Sequence, residues 1–208
     1  MATHCLFILN CKKYDHKRQR QLESWTQHLP SSVLWFHVVG DPSLTPEYAH
    51  VPATHLLTVR CGDGYLALPQ KTYLAVNAIR NLFPSVHTIL KTDDDMDCDM
   101  SAFADMLNTI QGYDYGGEIT VVGRPHMSTY HYPNVAEEDR KPILLYKTSY
   151  CPGRFYFLSR KAADWLLGRR PKFDKPGFED ATVGRVISSN SGLRVLNLDA
   201  KKIFHEFS

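Results

Sequence analysis

The sequence lacks the patterns that would place it in several common classes of protein. Its five cysteines are scattered and form no C-x-x-C pair, which argues against a structural zinc site and against a disulfide framework. No run approaches the roughly 18 apolar residues of a membrane span, and the start "MATHCLFILNC" has no basic region like that of a signal peptide. A net charge of only +2 gives no electrostatic reason to expect nucleic acid as a partner.

The remaining composition is ordinary, with 43% hydrophobic and 22% charged residues in 208, a length that suits one domain. Short apolar runs at 4–11 and 32–41 predict buried strands of a parallel sheet, and residues 14–29 between them predict a helix. Because the cysteines are scattered and odd in number, they predict reduced thiols and a cytoplasmic location.

Strands and helices are predicted to alternate along the rest of the chain. Helices are predicted at 68–83, 100–113 (with Ser101 as its cap) and 178–190, strands at 85–92, 117–123 and 194–199, and a strand that leads into a helix at 153–170. The polar, aromatic stretch 124–150 is expected to leave the core. This alternation predicts an α/β fold with a mostly parallel sheet flanked by helices.

An acidic run, "KTDDDMDCDM" at 91–100, begins where the predicted strand 85–92 ends. Its alternating aspartates imitate the start of an EF-hand calcium loop, which requires Gly at its sixth position and Glu at its twelfth. Counted from Asp93, those positions hold Cys98 and Ala104, so the run is not such a loop.

Two interpretations of the acidic run remain. It is either a solvated acidic loop or the metal end of a nucleotide site, because ligands of open α/β sheets lie beyond the carboxyl ends of strands. A carboxylate pair at such a place can hold Mg²⁺ or Mn²⁺, which neutralises a diphosphate.

Further motifs make the second interpretation specific. "ILKTDDDMDCDM" resembles the acidic element of the β-1,3-galactosyltransferase and fringe group of inverting glycosyltransferases, and four more stretches match that group in the same order. They are "RQRQLESW" (18–25), "DGYLALPQKTYLAV" (63–76), "YCPGRFYFLSRKAADWL" (150–166) and "FEDATVGRVI" (178–187), followed by the terminal "KIFHEF" (202–207). The sequence departs from the group at Gln21 and Leu22, and it has Gly153 alone where two glycines are common.

The resemblance implies a single GT-A domain over 1–208, with a nucleotide-sugar half at 1–99 and an acceptor and catalytic half at 100–208. It implies transfer of a hexose or deoxyhexose from a UDP-sugar to a carbohydrate acceptor, with inversion and with Mn²⁺ (or Mg²⁺) as cofactor. The metal is expected mainly on Asp95, with Asp93 near the ribose or the metal and Asp94 near the sugar. His205 completes the metal shell, while Asp97 and Asp99 face solvent.

Other donor contacts are expected from four residues. Lys71 and Arg18 are expected to meet the diphosphate, although a lysine on a helix surface is more often simply solvated. Asn10 and Lys12, just beyond the first strand, are expected near the nucleotide base.

Asp180 is the base implied by the resemblance, and its place ahead of a helix is equally typical of an N-cap. Glu179 is the neighbouring candidate and an expected acceptor contact. Gly153 and the tyrosines of the 124–150 stretch (Tyr130, Tyr132, Tyr146 and Tyr150) are expected to form the acceptor site, since aromatic faces pack on sugar rings.

Relatives of this kind commonly carry a membrane anchor, so a Golgi lumen location is the alternative if an anchor has been removed, and the chain would then be one domain of a longer protein. Two alternative functions remain open. A sugar nucleotidyltransferase would need a Gly-rich basic loop after the first strand, and "NCKKYDHK" contains no glycine. A catalytically idle carbohydrate-binding module would bind sugar without nucleotide or metal.

Overall fold

The computed structural model describes residues 2–207 as an α/β fold built on one eight-stranded sheet. The strands are β1 (His4–Leu9), β2 (Val33–Gly40), β3 (Tyr48–Val51), β4 (Leu56–Val59), β5 (Thr88–Asp93), β6 (Met96–Cys98), β7 (Tyr115–Gly117), β8 (Thr120–Val122), β9 (His126–Ser128), β10 (Ile143–Leu145), β11 (Thr148–Tyr150), β12 (Phe155–Ser159), β13 (Val195–Asn197) and β14 (Phe204–Glu206). The helices are α1 (Asp15–Glu23), α2 (Leu68–Leu82), α3 (Met100–Thr109), α4 (Arg160–Leu167) and α5 (Glu179–Ser188).

The strand order of the large sheet is β13-β7-β12-β5-β1-β2-β4-β3. Strands β5, β1, β2 and β4 are parallel to one another, and β13 is parallel to β7. Strand β12 runs antiparallel between β7 and β5, and β3 runs antiparallel at one edge. The predicted mostly parallel sheet is confirmed, and the reversed β12 starts at the edge where β1 and β5 end.

Helices cover both faces of the sheet, as predicted. One face packs against apolar side chains of α2, α4 and α5, among them Leu74, Leu166 and Val183. The other face packs against Phe103 of α3 and the C-terminal Phe204, both fully buried. Two apolar clusters, one on each face of the sheet, therefore hold the helices against the strands.

The first helix is shorter than predicted. It ends at Glu23 instead of continuing to residue 29, and only a short 3-10 turn follows at Thr26–His28. Trp25 lies beyond the helix end, where its buried ring packs against Phe204 and its Nε1 donates to the Met96 carbonyl at 3.0 Å. This tertiary contact overrides the local helical preference.

The cap of α3 also differs from the prediction. Asp99, not Ser101, is the N-cap, and its Oδ1 accepts from the backbone N–H groups of Ser101 and Ala102 at 2.9 Å each. One aspartate of the acidic run therefore has a structural task at a helix start, which is a favoured place for a carboxylate.

The aromatic stretch leaves the large sheet, as expected. Strands β9 and β10 pair only with each other in an antiparallel hairpin, and β8 pairs with β11 in a second small ladder. The single strand predicted at 117–123 is instead two strands, β7 in the large sheet and β8 in the small ladder, because the chain turns away at 118–119.

All five cysteines are free thiols, and four of them are buried. No helix within residues 2–207 is long and apolar enough to cross a membrane.

Candidate active site

The candidate residues gather at one edge of the large sheet. Leu9 at the end of β1 is in register with Asp93 at the end of β5, so Asn10 and Asp94 follow side by side. Phe155 near the start of the antiparallel β12 is in register with Thr92, which brings Gly153 to the same edge. Helix α5 begins beside them and supplies Glu179 and Asp180.

A buried lysine organises this edge. The Lys91 ammonium, 1% exposed, donates to Asp93 Oδ1 at 2.6 Å and to the Gly153 carbonyl at 2.7 Å, and it lies 3.5 Å from Glu179 Oε2. Lysine is almost never fully buried unless it is paired. The lysine of the "KTDDD" motif therefore links β5, the loop before β12 and the start of α5.

Gly153 is required by the close approach of this lysine and Asp93. A Cβ atom at this position would lie 2.5 Å from Asp93 Oδ2 and 3.1 Å from the Lys91 Nζ. The single glycine of the motif therefore leaves room for the Lys91–Asp93 pair, and its expected acceptor contact stays a prediction.

Glu179 faces the protein interior. Its carboxylate is 6% exposed, Oε1 accepts a hydrogen bond from the hydroxyl of the fully buried Tyr156, and Oε2 faces Lys91. Both oxygens are occupied within the protein. This placement suits a residue that positions the start of α5, and the expected acceptor contact would require the carboxylate to turn outward.

Asp180 is not an N-cap, so that interpretation of the sequence is wrong. Phe178 is the N-cap of α5 and makes no side-chain capping bond, and Asp180 lies inside the first turn with Oδ1 accepting from the Ala181 N–H at 2.7 Å. The pKa of the Asp180 carboxyl is raised to about 7. Burial is the largest cause and the negative charge of Glu179 is the second, and Lys91 lowers the pKa by less than Glu179 raises it. A carboxyl with a pKa near neutrality is suited to take up a proton.

Two tyrosines, Tyr65 and Tyr150, lie close enough to Asp180 to feel its charge. Burial raises the pKa of the Tyr65 and Tyr150 hydroxyls, with the Asp180 carboxylate and then Tyr130 as the next causes in both cases. Tyr132 lies further out and meets the buried His131 edge-on at 5.0 Å. The structure thus places the predicted Tyr150 near Asp180 and Tyr130 near Tyr150, and it adds Tyr65, which belongs to the "DGYLALPQKT" motif but carried no predicted role.

Lys17 is a second residue that the sequence did not single out. Its ammonium lies 3.0 Å from Asp94 Oδ1 and 3.7 Å from Asp95 Oδ2, while the predicted Arg18 instead pairs with Asp15 at 2.7 Å. One helical turn beyond Lys17, the buried Gln21 donates to the carbonyls of Asp93 and Met96. Lys17 and Gln21, four residues apart, therefore lie on the face of α1 that meets the aspartates. The departure from the family pattern at Gln21 could have pointed to this face in the sequence.

Lys71 is not on the helix surface and does not reach the open side of the site. It is fully buried, and its ammonium donates to Asp63 Oδ1 and to the Asn10 carbonyl, both at 2.7 Å. Asp63 also accepts from the N–H groups of Gly40 and Lys12 at 2.6 Å each. The predicted diphosphate contact of Lys71 is therefore replaced by a role in joining the ends of β1 and β2.

Asn10 and Lys12 lie just beyond the end of β1, at the corner where β1 and β2 end. Asn10 is 3% exposed, its Oδ1 accepts from the Cys11 N–H, and its Nδ2 has no partner within residues 2–207. The exposed Lys12 ammonium pairs with Asp41 at 2.7 Å. A buried amide donor without a partner is costly unless a ligand satisfies it, which favours a polar group bound beside Asn10.

His205 lies across a small ladder from the acidic run. Strand β14 pairs with β6 so that His205 faces Asp97, whose Oδ2 lies 3.9 Å from Nε2 of the imidazole. Asp97 is thus beside His205, not simply in solvent as expected. The Phe207 N–H donates to the Asp95 carbonyl, which makes Asp95 and His205 diagonal neighbours, a spacing of about 7–8 Å between Cα atoms.

The ladder offers two side-chain donors, the Asp95 carboxylate and the His205 imidazole, to an ion such as Mn²⁺ or Mg²⁺. No group of three His, Cys, Asp or Glu side chains within residues 2–207 forms a complete metal shell. A carboxylate with one imidazole leaves positions for phosphate oxygens and water, as these ions prefer. A cleft of about 290 Å³ adjoins Asp95 and is also lined by Lys17, Arg20 and Phe207.

Comparison with known proteins identifies a family and a fold. A family model described as "Galactosyltransferase" matches residues 54–198, a range that includes Lys71, Asp93, Gly153 and Asp180 but not Asn10 or His205. No curated protein matches the chain.

The solved structures that match this chain include the following two. One is the crystal structure of a glycosyltransferase involved in the glycosylation of the major capsid of PBCV-1, at 12% identity and a TM-score of 0.51, covering 94% of this chain and 82% of that one. The other, a protein from STIV, has 12% identity and a TM-score of 0.48, covering 100% of this chain and 86% of that one.

Proposed function

The chain belongs to the galactosyltransferase family and is a glycosyltransferase, and we propose that it transfers a hexose or deoxyhexose from a UDP-sugar to a carbohydrate acceptor with inversion at the anomeric carbon. The observation that carries this proposal is the half-buried Asp180 carboxyl beside Glu179, at the edge of the sheet where the acidic run begins, with a pKa raised to about 7. In inverting transfer the acceptor oxygen bonds to the anomeric carbon while the bond to the diphosphate breaks, and the hydroxyl proton needs a base.

Asp180 takes that proton. Its raised pKa matches the chemistry, since a base with a pKa near the working pH combines a large ionised fraction with useful basicity. Glu179 holds Tyr156 and faces Lys91, and the Lys91 ammonium keeps Asp93 in place, so both act by positioning and not by touching substrate.

The leaving diphosphate is bound near Asp95. Asp95 and His205 would hold Mn²⁺ or Mg²⁺, and the bound ion supplies positive charge that stabilises the departing diphosphate. Lys17, between Asp94 and Asp95, and Arg20, in the adjoining cleft, offer further positive charge on the same side. Arg18, which was expected to meet the diphosphate, contacts Asp15 on its own helix, whereas Lys17 contacts the acidic run.

The nucleoside is bound at the corner formed by Asn10 and Lys12. The unpartnered Nδ2 of Asn10 supports this place, since a base carbonyl could accept its hydrogen bond. Asp93 lies next along the edge and is assigned to the ribose, and Asp94 to the donor sugar.

The acceptor is bound by the tyrosines around Asp180. Tyr130, 77% exposed, and the half-buried Tyr150 and Tyr132 offer ring faces and hydroxyls, a combination that suits the apolar and polar sides of a sugar. The five free thiols support a reducing compartment such as the cytoplasm.

A screen of nucleotide-sugars for hydrolysis, with Mn²⁺ and with chelator, tests the proposal. We expect metal-dependent release of UDP from at least one UDP-sugar, and loss of that release in Asp180→Asn. Sugar binding without any nucleotide binding would instead favour an idle carbohydrate-binding module, and release of pyrophosphate from UTP and a sugar phosphate would favour a nucleotidyltransferase.

A further inference from the structure

A second cleft lies on the far side of α5 from Asp180. It has a volume of about 390 Å³, within the range of small-molecule sites, and lies between β10, the segment 171–178 and α5. Ala181, Thr182 and Arg185 of α5 line it together with the N-cap Phe178, and these four share one helix face through their i, i+3, i+4, i+7 spacing. At about 100° per residue, Asp180 lies roughly 160° around the helix from Thr182.

This basic cleft, defined by Leu144, Tyr146, Lys172, Lys175 and Arg185, carries charge of one sign. No Asp or Glu side chain lines it among the described residues, and neither Lys172 nor Lys175 has a carboxylate partner within residues 2–207. The Arg185 guanidinium lies over the Tyr146 ring at 4.2 Å. Three cations that converge on one concave surface favour an anionic ligand.

The other walls of the basic cleft are apolar. Leu144 is 41% exposed and Tyr146 is 46% exposed, and Pro171 and Pro176 line the opposite side. Aliphatic and aromatic surface pairs well with the C–H face of a sugar ring, whereas the cations meet a charged substituent.

We propose that the basic cleft binds a part of the acceptor glycan that is remote from the reacting hydroxyl, and that this part carries a carboxylate or phosphate group. This inference rests on the proposed glycosyl transfer. Because α5, about 10 Å wide, separates the cleft from Asp180, the acceptor is longer than one sugar and passes around the start of the helix.

Calorimetry with the full chain tests this assignment through three probes. They are a disaccharide containing one uronic acid, its carboxyl-reduced neutral form, and a blocked peptide with one glutamate. The test variant is Lys172→Ala/Lys175→Ala. The control is Lys201→Ala/Lys202→Ala, which removes equal charge from exposed lysines outside the cleft, and UDP binding is measured in all of them.

We expect the uronic acid probe to bind about five- to tenfold more tightly than its neutral form, as two or three exposed charge contacts would give. That advantage should vanish in the test variant and persist in the control. Equal binding of the charged and neutral sugars, or an advantage that survives in the test variant, overturns the proposal.

Equally tight, lysine-dependent binding of the peptide also overturns it, since the cleft would then recognise any anion. Absence of UDP binding in the wild type and in both variants would contradict the proposed function instead. The comparison of the uronic acid with its neutral form does not depend on that result.

Discussion

The buried ammonium of Lys91 lies 2.6 Å from Oδ1 of Asp93, two residues further along the same strand. The same ammonium faces Glu179 at 3.5 Å, and Asp180 follows Glu179 in the first turn of α5. One cation thus offsets part of the charge of three neighbouring carboxylates, and the charge that remains uncompensated contributes to the raised pKa of Asp180.

Replacing Lys91 by methionine should destabilise the fold strongly. Breaking a buried ion pair by removing one partner typically costs about 3–5 kcal/mol, because the other charge is left buried without compensation. Urea unfolding measures the loss, and Lys202→Met, at an exposed lysine, should cost almost nothing. A loss under about 1 kcal/mol would mean that water or another cation replaces the ammonium.

Asp180→Asn should abolish transfer and leave the fold intact. Removal of a general base typically costs 10²- to 10⁴-fold in rate. The wild-type rate should rise with pH through an apparent pKa near 7, because the ionised carboxylate is the active form, and this rise should be absent in the variant. A variant with nearly wild-type rate would exclude Asp180 as the base.

The same substitution should change how stability depends on pH. The folded-state pKa of Asp180 is raised above its ordinary value near 4, so the folded protein binds this proton more tightly than the unfolded chain does. The contribution of Asp180 to wild-type stability should therefore fall as the pH rises from about 4 to about 7, and Asp180→Asn should be more stable relative to the wild type at pH 8 than at pH 4. Asp174→Asn, at an exposed aspartate, should show no such trend in thermal unfolding.

Gly153→Ala should disturb the site although it adds only one methyl group. The new Cβ would lie 2.5 Å from Asp93 Oδ2, so the Lys91–Asp93 pair must move, at a cost of about 1–3 kcal/mol. Gly123→Ala is the matched control, because a Cβ there meets no atom within 4 Å. Equal stability and UDP affinity in the two variants would show that the cluster adapts freely.

UDP should bind markedly more tightly with Mn²⁺ than with chelator, and Asp95→Ala should remove that gain. Diphosphate and carboxylate repel each other unless a cation lies between them. Asp105→Ala, at an exposed position on α3, serves as the control in calorimetry. Equal affinity with and without chelator in the wild type would leave Lys17 and Arg20 as the charges that hold the diphosphate.

Thiol titration should distinguish the native from the unfolded chain. Cys11 is the one partly exposed thiol of the five, so it should react quickly in the native protein, and all five should react after unfolding without reductant. Only one or three reactive thiols in the unfolded chain would reveal disulfides and an oxidising compartment.

Local patterns in the sequence predict most of the fold. The apolar run 4–11 and the helical spacing in 68–83 depend only on residues close together in the sequence. The β1 strand, the α2 helix and the parallel sheet around β5 could therefore be predicted. Predictions failed where a distant contact decides a boundary. Trp25 leaves α1 because its partners, Met96 and Phe204, lie far along the chain.

The sequence by itself determined which chemical groups stand at the strand ends: the "KTDDD" run, Gly153 and the Glu179–Asp180 pair. Only the tertiary structure decided what each group does, because burial and partners depend on which segments meet. Lys71 looks solvated on a helix but is fully buried and paired with Asp63, and Asp180 looks like a cap but is a half-buried carboxyl beside Glu179 with a raised pKa. The behaviour of a charged side chain depends on its burial and on the charges close to it in space. Neither can be read from the residues next to it in the sequence.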